Sequence, residues 1–258
     1  MKISVVTVVR NAAATIEDTL RSVVSQDHPD VEHIVVDGAS VDGTLEVLNR
    51  YRPHLAQLVS EPDSGIYAAM NKGWRLARGE VIGFLNADDI YAHSGVLAKI
   101  QTALADSTLD ACYADLVYVR RQDVTRMVRY WTSQPFRPGL FEYGWLPAHP
   151  TFFVRRHVYE RYGGFDERYR IQSDFEIALR FLEIHRINSV YVPEILVCMR
   201  MGGITNRSLR TILKGNLESY QACRAHGLSV TPWFFVRKWA MRAPQFVRRP
   251  RVGQTPAP

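Results

Sequence analysis

Four short apolar runs, at 3–9 (ISVVTVV), 33–37 (HIVVD), 55–60 (LAQLVS) and 81–86 (VIGFLN), alternate with segments of helical spacing. This alternation narrows the possible folds more than any other feature. Ile16, Leu20, Val23 and Val24 recur at helical intervals in the first spacer, as do Ala68, Ala69, Trp74, Leu76 and Ala77 before the fourth run. The order β-α-β-α-β-α-β predicts an α/β fold with a mostly parallel central sheet sandwiched by helices, because right-handed crossovers place a helix between successive parallel strands. Ligands of such sheets bind beyond the carboxyl ends of the strands. The residues after each run therefore form one group: Arg10 and Asn11, then DGASVDGT (37–44), EPDSG (61–65) and NADD (86–89). One acid in a loop is ordinary turn chemistry. Polar residues, mostly acids, after four successive strands point instead to a shared ligand. No GxGxxG follows the first run and no GxxxxGK[ST] occurs, which argues against a dinucleotide fold and a P-loop NTPase.

The second half predicts strands near 111–119, 126–131 and 150–154, a helix over about 174–184, and two further strand-like pieces, INSVYVP and ILVCMR. A helical region follows over 207–225, then a short helix opened by Pro232 and ended by Pro244. With 258 residues, 47% hydrophobic and 22% charged, the chain can bury one full core. Cys112, Cys198 and Cys223 lack CxxC spacing and fit a reducing compartment. The start, MKISVVTVVRN, is too short in its apolar run for a signal peptide, so a cytoplasmic location is expected.

The net charge of +6 is unevenly spread. No acid follows Glu218, and the seven Lys and Arg residues from Ser219 onward exceed the total, leaving the preceding residues at −1. A basic patch on the fold would indicate nucleic acid; a basic tail carrying Trp233, Phe234, Phe235, Trp239 and Phe246 indicates an anionic membrane surface on the inner face of the plasma membrane. A helical wheel sets Val236, Trp239, Ala240, Ala243 and Val247 on one side and Arg237, Lys238 and Arg242 opposite. Packing of the aromatics on the main domain, or on the second subunit of a homodimer, is the alternative.

The paired carboxylates of FLNADDIY suit a hard divalent cation, since Mg²⁺ or Mn²⁺ takes one or two carboxylates together with substrate phosphates. SVVTVVRNAAATIEDTLRSVVSQ, VVDGASVDGT, EPDSGIYAAMNKG and GEVIGFLNADD, followed by HPTFFVRR, YGGFDERYRIQSDFEIALR and MGGIT, resemble the ordered motifs of family-2 inverting glycosyltransferases of the GT-A fold. The later motifs resemble the acceptor half of bacterial members that build polysaccharides or glycolipids. The resemblance spans about 1–205 and implies a nucleotide-sugar half over 1–100, an acceptor half over 101–205 and a C-terminal helical basic tail over 206–258.

It also implies a metal-dependent transferase that moves a sugar from a nucleotide-diphosphate donor to a hydroxyl of a lipid-linked, glycolipid or polysaccharide acceptor. Asp37 is then expected at the base, Asp63 at the base or ribose, and Asp88 on the metal, with Asp89 on the metal or the sugar. Thr7, Asn11, Gly65, Lys72, Asn86 and Arg200 complete the donor set, although Lys72 reads equally as a solvated cation. Asn86 stands where the family often has Asp. Asp174 in QSDFEIALR matches the family's catalytic aspartate, the general base for the acceptor hydroxyl; Ser173 replaces the glutamate often beside it, and an N-cap is the other reading of Asp174. His149 and Glu176 are placed on the acceptor side, His149 reading equally as a structural group. Asp42 is expected to cap the helix near Thr44, and the paired glycines after Arg200 suit a loop that closes over the donor. A non-catalytic nucleotide-binding scaffold subunit and a sugar-phosphate nucleotidyltransferase are the competing functions.

Overall fold

The computed structural model describes residues 1–202, 209–246 and 250. Strands β1 (Ile3–Val9), β2 (Val31–Asp37), β3 (Gln57–Ser60) and β4 (Val81–Phe84) arise from the four apolar runs and pair in parallel, in the order β3-β2-β1-β4. β1 and β4 are buried at every position, which is why they read as continuous apolar runs. Helices α1 (Ile16–Val24), α2 (Thr44–Arg50) and α3 (Ile66–Leu76) fill the crossovers. Successive β1 side chains serve opposite faces: Val6 and Val8 join Tyr67, Ala69 and Met70 of α3, while Val9 packs with Ile16 and Leu20 of α1. The approach of α3 is close enough that a Cβ at Gly73 would lie 2.3 Å from Val6 Cγ1.

Beyond β4 the sheet becomes mixed. β5 (Asp89–Tyr91), β6 (Ala111–Arg120), β7 (Asp123–Trp131), β8 (Phe153–Arg155) and β9 (Ser189–Arg200) extend it in the order β4-β8-β6-β9-β5, with β7 also on β6. Two expectations are corrected here. INSVYVP and ILVCMR are one strand, β9, whose pairing skips from Val192 opposite Ala114 to Ile195 opposite Asp115, so that a bulge absorbs Pro193. The residues after NAD are not a loop but the short strand β5, antiparallel to β9.

Helices α4 (Val96–Ala103), α5 (Arg156–Tyr162), α6 (Ser173–Leu179), α7 (Leu209–Ala225) and α8 (Phe234–Arg242) complete the described fold. α6 runs on into a wider π turn over Arg180–Ile184. α8 follows Pro232 and gives way at Pro244 to a 3-10 turn, as its prolines predict. Its orientation corrects the helical wheel. Lys238 is 3% exposed and Phe234 is sealed beside Phe175 and Tyr220, whereas Trp233 and Trp239 are 66% and 73% exposed. Part of the cationic side thus faces the domain and the apolar side faces out. No helix among the described residues is long and apolar enough to cross a membrane. The paired-glycine loop beyond Gly202 and the basic residues Arg248, Arg249 and Arg251 lie outside the described residues.

Candidate active site

The ends of β1, β2 and β4 and the start of α3 enclose a cleft of about 430 Å³. Arg10, Asn11, Asp63, Asn86, Asp88 and Arg121 line it, with Gly38 and Gly65 at its wall. Asn11, in the left-handed region at φ 51°, accepts from Val41 N–H at 2.9 Å and donates its own N–H to Ser40 Oγ at 2.8 Å. Asp42 accepts from Thr44 N–H at 3.1 Å, as its capping role predicts, and from Ala13 N–H at 3.1 Å. The loops after β1 and β2 are therefore laced into one wall. Gly65, at φ 152°, turns the chain into α3 where a side chain would be strained.

Asp63 faces the cleft with a double environment. Its Oδ1 accepts from Lys72 Nζ at 2.8 Å, while Oδ2 is buried without a partner. Lys72 also pairs with Glu61 at 2.6 Å, and hydrogen bonds to Asp63 and Glu61 hold its ammonium above the usual lysine range. Lys72 thus holds two acids of EPDSG and does not line the cleft. Asp37 is fully buried and accepts from Ser60 Oγ at 2.7 Å and from Ser40 N–H at 3.1 Å, so it anchors the β2 loop from beneath. Thr7 is corrected: its hydroxyl lies 3.0 Å from His33 Nε2 inside the sheet, away from the cleft. Burial pushes His33 down to about 3, so this pair is neutral.

The adjacent carboxylates 88 and 89 have opposite surroundings. Asp88 lines the cleft. Asp89, at the start of β5, is 0% exposed; Asn86 Nδ2 donates to its Oδ2 at 3.4 Å, and its Oδ1 has no partner. Burial, then the charge of Asp88, raises Asp89 well above the usual carboxylate range. Asp89 is absent from the cleft lining and lies buried beneath the turn that carries Asp88. Arg200 is corrected. It is 5% exposed, paired with Asp18, and donates to the carbonyls of Asp88 and Arg121 at 3.2 Å each, so it fastens the turn, whereas Arg10 and Arg121 line the cleft.

On the acceptor side, Asp174 occupies the second position of α6, and Gln172 holds the cap position. Its Oδ1 accepts from Phe175 N–H at 2.9 Å and lies 3.3 Å from the hydroxyl of Tyr67, which also reaches Ile171 O at 2.7 Å. Tyr67 belongs to the donor motif EPDSGIYAAMNKG, so α3 touches both halves of the site. Asn71 of the same helix clamps the GGFDER loop, donating to Phe165 O at 2.9 Å and accepting from Phe165 N–H at 2.8 Å.

His149 stacks on Phe84 with centroids 5.7 Å apart; burial lowers its pKa, and Nε2 is left without a partner. Glu176 is corrected away from the acceptor. It is 2% exposed, and its oxygens are taken by Arg180 at 2.8 and 3.1 Å and by His226 at 2.8 Å. Burial would raise this acid, but those partners bring it below the usual range, so it ties α6 to α7.

A divalent cation fits the donor set present. Asn86 Oδ1 and Asp63 Oδ2 are buried, unpartnered oxygens of residues that share the cleft wall with Asp88. Among the described residues no three His, Cys, Asp or Glu side chains converge on one point. Arg10, Arg121, Tyr67 and Asn71 are the site residues that sequence reasoning did not assign; only the position of Arg10 directly after β1 offered a signal.

This sheet, with a cleft at its strand ends and an acidic turn after the fourth strand, is the GT-A fold of glycosyltransferases. The chain belongs to glycosyl transferase family 2, whose sequence model matches residues 4–163. It is 27% identical over 201 residues to a "PGL/p-HBAD biosynthesis glycosyltransferase" of Mycobacterium tuberculosis (strain ATCC 25177 / H37Ra), covering 76% of each chain. It is 42% identical over 92 residues to the "Putative teichuronic acid biosynthesis glycosyltransferase TuaG" of Bacillus subtilis (strain 168), covering 34% of this chain and 36% of that one. Among solved structures, the mannosyltransferase PcManGT from Pyrobaculum calidifontis, in complex with GDP-Man and Mn²⁺, superposes with a TM-score of 0.63 at 23% identity, over 94% of this chain and 69% of that one. The chain is thus a glycosyltransferase, and the nucleotidyltransferase reading falls.

Proposed function

We propose that this chain moves a sugar, with inversion, from a nucleotide-diphosphate donor to a hydroxyl of a lipid-linked, glycolipid or polysaccharide acceptor. The observation that supports this reading is the setting of two acids. Asp88 lines the cleft with Asn86 and Asp63, and Asp174 lies beside Tyr67 of α3, the helix whose start borders that cleft. Asp88 and Asn86 would hold Mn²⁺ or Mg²⁺, which supplies positive charge against the departing diphosphate. Asp63 and the loop anchored by Asp37 hold the nucleoside, and Arg10 and Arg121 face the phosphates. Asp174 takes the proton from the attacking hydroxyl while Tyr67 fixes its carboxylate. Displacement from the face opposite the leaving group inverts the anomeric carbon. The acceptor class draws support from relatives named for PGL/p-HBAD and teichuronic acid biosynthesis. The outward Trp233, Val236 and Trp239 of α8 suit contact with an anionic membrane surface.

Calorimetry with UDP, GDP and dTDP, with and without Mn²⁺, tests the donor site. One nucleotide is expected to bind tightly only with metal, and Asp88→Ala is expected to abolish the metal-dependent part. Binding that ignores both metal and Asp88 would favour the scaffold reading.

A further inference from the structure

A second cleft, of about 380 Å³, opens where the end of β7 meets α8 and the turn at Leu140–Tyr143. Trp131, Tyr143 and Trp145 supply aromatic surface, and Arg237 and Arg242 of α8 border it. Arg237 lies over the Tyr143 ring at 4.9 Å. Among the described residues, no carboxylate lies within ion-pair distance of either guanidinium. Arg242 is partly buried; burial and the neighbouring Arg129 lower its pKa, opposed by Tyr118 and by the charge of Asp174. Two cations on one wall without a counter-charge leave the cleft electrostatically incomplete.

Two hydroxyls among the residues lining the same cleft are also unsatisfied. The hydroxyls of Thr132 and Ser133 are buried with no partner, and Ser133 is 8% exposed. The neighbouring acid does not satisfy Ser133 Oγ. Asp115 is taken by Ser133 N–H at 2.7 Å, Tyr130 OH at 2.5 Å and Tyr191 OH at 2.8 Å, which fixes the segment and leaves the hydroxyl over. Unpartnered hydroxyls and guanidiniums without a carboxylate, lining one cleft, suit a ligand with several charged acceptor oxygens. The aromatic rings add a floor for the carbon skeleton attached to it.

We propose that this second cleft binds a phosphate ester carried by the acceptor, with Arg237, Arg242, Thr132 and Ser133 as its donors. The inference rests on the glycosyl-transfer reading and assigns it an acceptor chemistry. Lys238, one turn before Arg242 in α8, lies over the ring of Phe175, the residue after Asp174, at 5.3 Å, so the helix that borders this cleft also packs against the segment carrying that acid. The phosphate can come from a polyol phosphate chain or from a lipid headgroup, and the chemistry is shared.

Calorimetry on the full chain with glycerol 3-phosphate, dihexanoyl phosphatidic acid and, as a neutral control, glycerol tests it. Saturable binding of a phosphate ester, but not of glycerol, is expected, unaffected by saturating nucleotide with Mn²⁺ and weakened about tenfold by Arg242→Gln. Ser133→Ala, a smaller change, is expected to weaken it less while the unfolding midpoint holds. Equal affinity for both esters assigns the site to a polyol phosphate, and a requirement for the acyl chains assigns it to a lipid phosphate. Competition by nucleotide would put the ester in the first cleft and overturn the proposal. So would equal binding by the variants, or no binding by a chain that still takes nucleotide. Phosphate-ester binding without any nucleotide binding would instead overturn the donor reading and leave this cleft standing.

Discussion

Asp88 and Asp174 ask different things of the same functional group, and their neighbours decide which does which. In the proposed reaction Asp88 needs exposure to a cation, whereas Asp174 needs a fixed carboxylate beside the attacking hydroxyl. Asp174→Asn keeps the shape and the contact with Tyr67 but removes the base. Turnover is expected to fall by about 10²–10⁴-fold, with nucleotide affinity unchanged by calorimetry; residual turnover near the parent level would remove Asp174 from the reaction. At this scale the sequence was only half legible. NADD announces an acidic strand end, but nothing in two adjacent aspartates says that one faces the cleft while the other opens a buried strand. The burial of Asp89 follows from its pairing with Met199, more than a hundred residues away. Arg121 was invisible for a related reason, since a turn arginine carries no local sign of the cleft it reaches.

The elements were far more legible. Parallel strands buried on both faces have to be apolar throughout, and helices between them have to repeat with helical spacing, so β1 to β4 and α1 to α3 were all open to reading. β5 escaped because three residues opening with an acid carry no strand period, and β9 was divided because its proline reads as an end unless a bulge is known. α8 was legible as a helix but not in its facing, since Gly144 leaves room for the Lys238 stem: a Cβ there would lie 2.5 Å from Lys238 Cβ. Burial pulls Lys238 down to about 7, and its Nζ donates to Ser219 Oγ at 2.7 Å. The folded state therefore binds fewer protons than the unfolded chain between about pH 7 and the ordinary lysine value of 10.5, and stability rises with pH across that window. Lys238→Met is expected to stabilise the fold by ~1–3 kcal/mol near neutral pH and by less near pH 10. Urea unfolding at both ends of the window checks this, and a gain that grew with pH would contradict the burial of the charge.

At the scale of the whole molecule, the exposed apolar residues gather on the C-terminal helices. Ile212, Leu213 and Leu217 of α7 and Trp233, Val236 and Trp239 of α8 are each at least 41% exposed. The double variant Trp233→Ser/Trp239→Ser is expected to lose sedimentation with anionic vesicles, while its unfolding midpoint changes little because both rings already stand in solvent. Undiminished sedimentation would dissociate α8 from the membrane.

Arg200 joins Asp18, the Asp88 carbonyl and the Arg121 carbonyl, and β5 has β9 as its neighbour in the sheet. During synthesis, the residues that line the cleft from β1, β2, β4 and α3 leave the ribosome long before β9, which braces them and adds Met199 to the lining. A nascent chain that has just passed residue 163 holds the whole family signature without the clasp on its cation turn. Completion of the cleft is therefore a late event in the life of the polypeptide, postponed until its ninth strand threads between β6 and β5.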